Sequence, residues 1–382
     1  MRRSLQKLRR GSVILIVLIT ILFATLALTV FIEKASNDLL VDARQADANR
    51  LRLEAFSALE TTLGVLEDFR LVLGALHSPS EGWGDPLDFA GYTPGEGRTI
   101  DIQFVDESAK VSLPKASPTQ LVDLFKSWGL MQNDAEKLRD ALLGWMQKDY
   151  VPSSASSPRA EDYDRGDLPI APPGRLLRSF QELASIEYAR TVFYDENGEP
   201  NPLWHRFVEA FSLFAYDKAN INGGNPEALA ALGITDEGQR RRVADYIHGT
   251  GSYARQGPGY FKNAGDVGTI LGGNSPASEL STQISALRII ITVWEGHSSY
   301  RLNAVVAPQG GATIAATNRS QTDATKSGDQ VKQNNTQAAV PKTSAAAGMS
   351  GGKSLNYPFT ILEIRENDEV ASTPTGSPEE TP

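Results

Sequence analysis

Arg9-Arg10-Gly11-Ser12, followed at once by VILIVLITILFATLALTVFI from Val13 to Ile32, is the stretch that decides how this chain is organised. Twenty consecutive residues without a charge make a helix of roughly 30 Å, the thickness of a bilayer core. Arg2, Arg3, Lys7, Arg9 and Arg10 precede it with no acid among them, so the leader is expected to stay cytoplasmic and the C-terminal bulk to lie outside. A cleaved secretory signal is the competing reading. Its apolar core runs to about 7 to 15 residues, and the small-x-small triplet Thr25-Leu26-Ala27 lies inside the run rather than after it. Retention in the membrane therefore fits better.

The helix is expected to continue past the membrane face, because no glycine occurs between Ser12 and Leu63 and the first proline is Pro79. Ala48, Leu51, Ala55, Leu59, Leu63 and Leu66 recur at steps of three and four, with Asp47, Arg50, Arg52, Glu54 and Glu60 between them, the spacing of one apolar face. One rod results, greasy at its start and amphipathic at its end. A membrane anchor followed by a separate helix fits the same spacing.

The 382 residues include 37 basic and 46 acidic side chains, for a net charge of −9. An acidic surface repels a phosphate backbone, so nucleic acid is set aside as the main partner. With 41% apolar and 22% charged residues the composition is globular, while 33 glycines and 21 prolines imply loops. Cysteine is absent, which excludes disulfides, thiolate metal sites and a cysteine nucleophile. The histidines His77, His205, His248 and His297 are scattered and accompany no nucleophile or metal motif. No enzyme chemistry is visible.

Gly82 to Gly97 reads as a loop, and Thr99 to Val105 with Ala109 to Leu113 as a β-hairpin around Asp106-Glu107-Ser108. Helical periodicity then takes over. Thr119 to Trp128, Asn133 to Met146, Ser179 to Ala189, Pro202 to Phe214, Asn225 to Leu232 and Asp236 to His248 each space apolar residues three or four apart. Trp128, Trp145, Trp204 and Trp294 lie on periodic apolar faces and are expected in the core. Leu287 to Trp294, Tyr300 to Val306 and Tyr357 to Ile364 return to strand patterns. The composition of 308–355 cannot bury enough apolar surface to order itself and predicts a mobile loop, and 366–382 predicts a disordered acidic tail. Strands on both sides of a helical block predict an α+β fold, an antiparallel sheet with a large α-helical domain inserted into it. The expected divisions are a leader over 1–11, a long helix over 12–76 with its membrane span at 13–32, and the first part of the sheet domain over 77–117. An inserted domain over 118–272 follows, then strands within 273–307 and 356–365.

Asn220 to Leu229 leads through Leu232-Gly233-Ile234 into a second helix, with Gly259-Tyr260-Phe261-Lys262 beyond. This arrangement resembles a helix-hairpin-helix unit. In DNA-binding versions the hairpin's backbone N–H groups hold a phosphate. Here Asp236 and Glu237 follow the single Gly233, while Arg240, Arg241 and Arg242 supply positive charge. A membrane-anchored DNA-binding protein is the alternative function, tested by a gel shift at two salt concentrations.

A basic leader, a glycine and an apolar helix without a polar spacer resemble the type IV prepilin class of signal, in which a membrane peptidase cuts after the glycine. By that resemblance Gly11 and Ser12 flank the processing site. Most members carry glutamate at the fifth mature position, where this chain has Ile16. The ordered segments ALLGWMQKD (141–149), AEDYD (160–164), LLRSFQELASI (176–186) and ANINGGNPEALAALGI (219–234) resemble those of the type II secretion (general secretion pathway) minor pseudopilin K family. Gln147 stands where an acid is usual, Arg159 where a glycine is usual, and Gly223-Gly224 depart after Asn222.

The resemblance implies a pilin-like sheet and a structural subunit, held in the bacterial inner membrane and lifted into a periplasmic pseudopilus. The oversized head would confine it to the tip, and the lack of an acid at Ile16 suits the first subunit. Implied partners are the minor pseudopilins of the I, J and H types, the prepilin peptidase and the inner-membrane secretion platform. Ile16, Ala48, Leu51, Ala55 and Leu59 are expected to pack against partner helices. Asp149, Glu161, Asp162 and Asp164 concentrate hard oxygen ligands of the kind calcium uses; a solvated acidic loop is the competing reading, and Gln147 removes one charge from the set.

Overall fold

The computed structural model describes residues 5–164, 171–272, 280–314 and 358–367. The first element, α1 (Leu5–Leu73), is a single 69-residue helix, roughly 100 Å long at 1.5 Å per residue. Gly74, at φ +84°, closes it by donating to the Arg70 carbonyl at 2.8 Å. Within it Ile14–Leu39 is long and apolar enough to cross a membrane and buries nothing. The amphipathic end behaves differently. Leu51, Ala55, Ala58, Leu59, Leu63 and Leu66 are each at most 2% exposed.

What covers them is a four-stranded antiparallel sheet in the order β1-β6-β7-β8. Its strands are β1 (Arg98–Asp106), β6 (Leu287–Glu295), β7 (Ser298–Pro308) and β8 (Phe359–Glu366). Alternation places Ile289, Ile291, Val293, Leu302, Ala304 and Val306 on the face toward α1, where they share one dry core with its buried stripe. Gly296 at φ +59° makes the two-residue turn that joins β6 to β7. Glu54 on α1 accepts from Tyr92 Oη (2.7 Å), Gly95 N (3.2 Å) and Arg98 Nη1 (2.6 Å), and Arg52 forms a two-pronged pair with Glu366 at the end of β8. Both braces tie the helix to the sheet.

Asp106 ends β1 and stands opposite Leu287, the first residue of β6. Residues 107–286 therefore leave and return at one rung, a wider insertion than the helical periodicity marks. The hairpin expected over 99–113 does not form. β1 pairs with β6 instead, and the two-residue β2 (Val111–Ser112) runs parallel to β3 (Phe211–Ser212). A 3-10 turn at Glu107–Ala109 steers the chain away from the sheet, and Ser285 N holds that turn from 177 residues along the chain by donating to Ser108 Oγ.

The insertion has two cores. The first gathers α3 (Pro118–Ser127), α4 (Gln132–Met146), α5 (Ala189–Phe193) and α6 (Pro202–Ala210) around Phe125, Trp128, Phe193, Phe207 and Phe211. The stretch Ser179 to Ala189 is not one helix but a 3-10 segment (Phe180–Ser185) that precedes α5. The second core packs α7 (Pro226–Ala231), α8 (Glu237–His248) and α9 (Ala264–Leu271) around Ile221, Leu229, Ile234, Val243, Phe261 and Val267. Ser117, Asn201, Asn225, Asp236 and Asn263 cap helices as side-chain acceptors, and proline follows the first three. β4 (Ala219–Asn220) and β5 (Leu280–Ser281) pair in parallel to close this unit. Phe214, Tyr216 and Ala312 cover Val305 and Ala307 on the sheet's outer face. The remaining helix, α2 (Pro86–Phe89), lies in the segment read as a loop, and there Trp83 is fully buried against Phe104. Trp128, Trp145 and Trp204 are core as expected, but Trp294 is 39% exposed because its place in β6 faces outward from the sheet.

Candidate functional site

Five passes of the chain meet where the inserted unit joins the sheet. Asp106 accepts from Ser108 N (2.8 Å), Ser108 Oγ (2.5 Å) and Asn220 Nδ2 (2.7 Å). Ser108 Oγ in turn accepts from Ser285 N (2.9 Å), strapping the outgoing chain to the incoming one. Asn220 also donates to the His77 carbonyl (3.1 Å) and accepts from Asn222 N (3.1 Å). Asn222 donates to the carbonyls of Phe261 (3.0 Å) and Thr282 (2.8 Å) and accepts from Phe261 N (2.7 Å). The Asn220-Ile221-Asn222 motif is thus the knot that holds the second helical unit to the sheet. Gly223 belongs to it. A Cβ there would come within 2.0 Å of Ala109 Cβ, so the backbone packs too closely at this residue for any side chain.

The neighbouring acids Asp106 and Glu107 diverge. Burial would push Glu107 up, yet the charges of Lys110 (3.4 Å) and Arg288 (2.5 Å) overcome it and hold the carboxyl at about 2. Burial pushes Asp106 up to about 7, against the donors from Ser108 and Asn220. Tyr216 donates to the carbonyls of Glu107 and Lys110, both at 2.8 Å.

The three segments 141–149, 160–164 and 176–186 also converge, on Trp145. Tyr163 packs against it at a tilt, ring centroids 5.6 Å apart, and the Trp145 indole N–H donates to Glu182 at 3.4 Å. Glu182 further accepts from Arg178 N (2.9 Å) and Arg175 Nη1 (3.1 Å), while Leu183 is fully buried. Beside this cluster sits Asp140, fully buried, which no sequence motif singled out. It accepts from Arg139 Nε (2.9 Å), Tyr150 Oη (2.6 Å), Ser154 N (2.8 Å) and Ser157 Oγ (2.9 Å). Burial opposes its charge, and these donors reverse the effect and hold it below the ordinary carboxylate range. An acid on the apolar face of α4, between Leu138 and Ala141, was the available signal.

The backbone at Gly11 and Ser12 is helical and continuous with α1. Ile16 is 61% exposed and Ala48 is also exposed, both free to meet other helices. Leu51, Ala55 and Leu59 are not, because the chain's own sheet covers them, which corrects the expectation that they pack against partner helices. Asp149 adopts φ +61°, Glu161 is exposed, and Asp162 accepts from Arg159 N at 2.8 Å. Among the described residues no three His, Asp or Glu side chains gather to hold a metal. The Asp164 side chain, most of the 308–355 loop and nearly all of the 366–382 tail lie outside the described residues.

His77 pairs with Glu81 at 2.5 Å, His205 stands edge-on to Trp204, and His248 Nδ1 lies 2.8 Å from the Ala244 carbonyl, each on a separate element. In the hairpin before α8, Arg240 donates to the carbonyls of Ile234 (2.9 Å) and Thr235 (2.8 Å), and Asp236 accepts from Gln239 N (2.7 Å). An acid thus occupies the helix start where a phosphate would sit, and the nearest arginine is spent on the hairpin itself. Nothing in this geometry favours DNA.

Residues 103–196 match the family model described as Type II secretion system (T2SS), protein K. That span holds the three segments that meet at Trp145 but not the Asn220 knot. Among curated proteins none matches the chain. The fold is similar to a chain of the solved GspK-GspI-GspJ complex from the type 2 secretion system of enterotoxigenic Escherichia coli, with a TM-score of 0.50 at 13% identity, over 70% of this chain and 93% of that one.

Proposed function

We propose that this chain, a minor pseudopilin carrying the type II secretion protein K domain, caps the tip of the periplasmic pseudopilus and helps to start its assembly for export across the outer membrane. The observation that carries the reading is the insertion. A slender helix-and-sheet subunit carries, at one rung of its sheet, a helical unit with two cores of its own. A head enlarged in this way fits the end of a stack of parallel stems better than its middle. The stem is anchored in the inner membrane by Ile14–Leu39, with the basic leader cytoplasmic and the head periplasmic.

Assembly would follow removal of residues 1–11 by the prepilin peptidase. Packing would then run through the exposed part of α1, including Ile16 and Ala48, against minor pseudopilins of the I, J and H types on the inner-membrane platform. The GspK-type neighbour is solved with GspI and GspJ, which supports the first two partners. The role is structural.

Intact-mass measurement of membrane-extracted protein tests the stem: a mature form beginning at Ser12 is expected, and a retained leader overturns the reading. Copurification of the head with I-type and J-type heads tests the tip, where absence of a complex overturns it. A Ca²⁺ titration of the purified protein, read by heat and by melting temperature, decides the ion expected on Asp149, Glu161, Asp162 and Asp164.

A further inference from the structure

On the outer face of the sheet, β7 carries two buried donors that find no acceptor among the described residues, Arg301 Nε and Asn303 Nδ2. Buried polar groups in folded proteins are almost always hydrogen-bonded, so two orphans on alternate residues of one strand mark a face that is incomplete. The other cations there are engaged. Arg288 pairs with Glu107 and Glu363, and Arg365 with Glu363 and the Arg178 carbonyl. Among the described residues no ion pair engages Arg301. Asp101, across Thr292 on β1, accepts from Gln103 at 2.9 Å instead. Trp294 lies diagonal to Arg301, because β6 sets Thr292 opposite Arg301 and Trp294 opposite Ser299. Thr99 and Ser299 flank the indole and are too short to cover it, which leaves it 39% exposed. The patch offers a cation beside an open aromatic ring, a surface matched to an acid followed by an apolar residue.

A segment of that composition begins next to it. β8 ends at Glu366, and Asn367 donates its N–H to the Arg301 carbonyl (2.7 Å) while its side chain accepts from Arg301 N (3.0 Å). Asn367 has φ +50°, a left-handed conformation that turns the backbone out of the strand at this rung. Asp368-Glu369-Val370 follows, and residues 368–382 hold four acids and no base. The step from β8 across β7 to β6 is two strand spacings, about 10 Å, and the three residues from Asn367 to Val370 reach about 10 Å when extended. We propose that the acidic tail folds back over the outer face of the sheet, with a carboxylate of Asp368-Glu369 on the Arg301 guanidinium and Val370 against the Trp294 ring. A segment too polar to build a core of its own gains order from a surface already folded. The contact lies within the chain, so it stands or falls separately from the role at the tip.

Because the chain has no cysteine, Thr99→Cys at an exposed position on β1 and Ser372→Cys in the tail give a unique pair of spin labels on the full detergent-extracted protein. The distance distribution between them is expected to be narrow at about 0.1 M salt and to widen roughly twofold at about 1 M, where exposed charges are screened. In Arg301→Gln it is expected to be wide at both. A wide distribution in the otherwise unaltered chain at the lower salt, or an Arg301→Gln protein that stays narrow, overturns the proposal. If the Arg301 variant does not fold, the salt series decides alone. Hydroxyl-radical footprinting gives a second reading: oxidation of Trp294 is expected to rise severalfold when residues 368–382 are deleted. Protection of Trp294 that appears only on adding I-type or J-type heads assigns the face to a neighbouring subunit and overturns the proposal.

Discussion

Asp106 and Leu287 face each other on the rung where β1 and β6 both meet the insertion. Nothing in the sheet's hydrogen bonding requires the residues between them. The helix-and-sheet body closes on itself, with its own core between α1 and the strands. Joining Asp106 to Leu287 by a short Asn-Gly turn is therefore expected to leave a cooperatively folded head. Its melting temperature should be lower, because Val305 and Ala307 lose the cover of Phe214 and Tyr216. Circular dichroism and a thermal melt check this; loss of all strand signal would contradict it.

The two halves of the apolar stripe on α1 have separate duties. Leu59→Ala is expected to cost about 2–5 kcal/mol of head stability, the range for emptying a closed core site. Ala48→Gln lies in solvent and should move stability by no more than about 0.5 kcal/mol. Urea denaturation of both variants separates them, and equal effects would mean that the helix and sheet do not share a core.

Asp140 organises the turn that follows α4. Asp140→Ala leaves the Tyr150 and Ser157 hydroxyls and the Ser154 amide without their acceptor, and a loss of about 3 kcal/mol or more is expected. Hydrogen exchange should rise first over residues 150–157, before the rest of the inserted unit. Uniform loosening of the whole chain would argue against this local role.

The sign of the pH dependence differs for the two adjacent acids. Glu107 sits at about 2 in the fold against an ordinary 4.5, so its contribution is complete above about pH 5 and disappears as pH falls through that window, each tenfold difference in proton affinity being worth about 1.4 kcal/mol. Asp106, raised from 3.8 to about 7, contributes stability below about pH 4 that is lost as pH rises toward 7. Arg288→Met should flatten the acid limb and leave the neutral limb in place. Unfolding curves taken at closely spaced pH values resolve the two.

The stem and the strands were legible because their signals are periodic and local. The uncharged run at 13–32, the three-and-four spacing to Leu66, and the Ile/Val-rich strands at 287–306 each predict the element observed. The helical block was legible for the same reason, with capping residues close to where helices start. What stayed hidden depends on partners distant in the chain. Whether β1 turns back on itself or pairs with β6 is decided by contacts such as that of Ser108 with Ser285. Whether Leu51 faces a partner or its own sheet cannot be read from spacing that serves both. The Asn220 motif showed itself as a pattern, but its work as a fourfold knot needed Asp106, His77, Phe261 and Thr282 in place around it.

The braces between α1 and the sheet bear on how the subunit would carry load. Arg52 grips Glu366 at the far edge of the sheet and Glu54 grips Arg98 at the near edge, one turn or less apart on the helix. A pull arriving along the stem is shared at once across both outer strands, as a bridle shares the tension of a single rope. The bulky appendage hangs from the last rung of β1 and β6, at the opposite end of β1 from the Arg98 brace, so it trails behind the point where the helix grips the sheet.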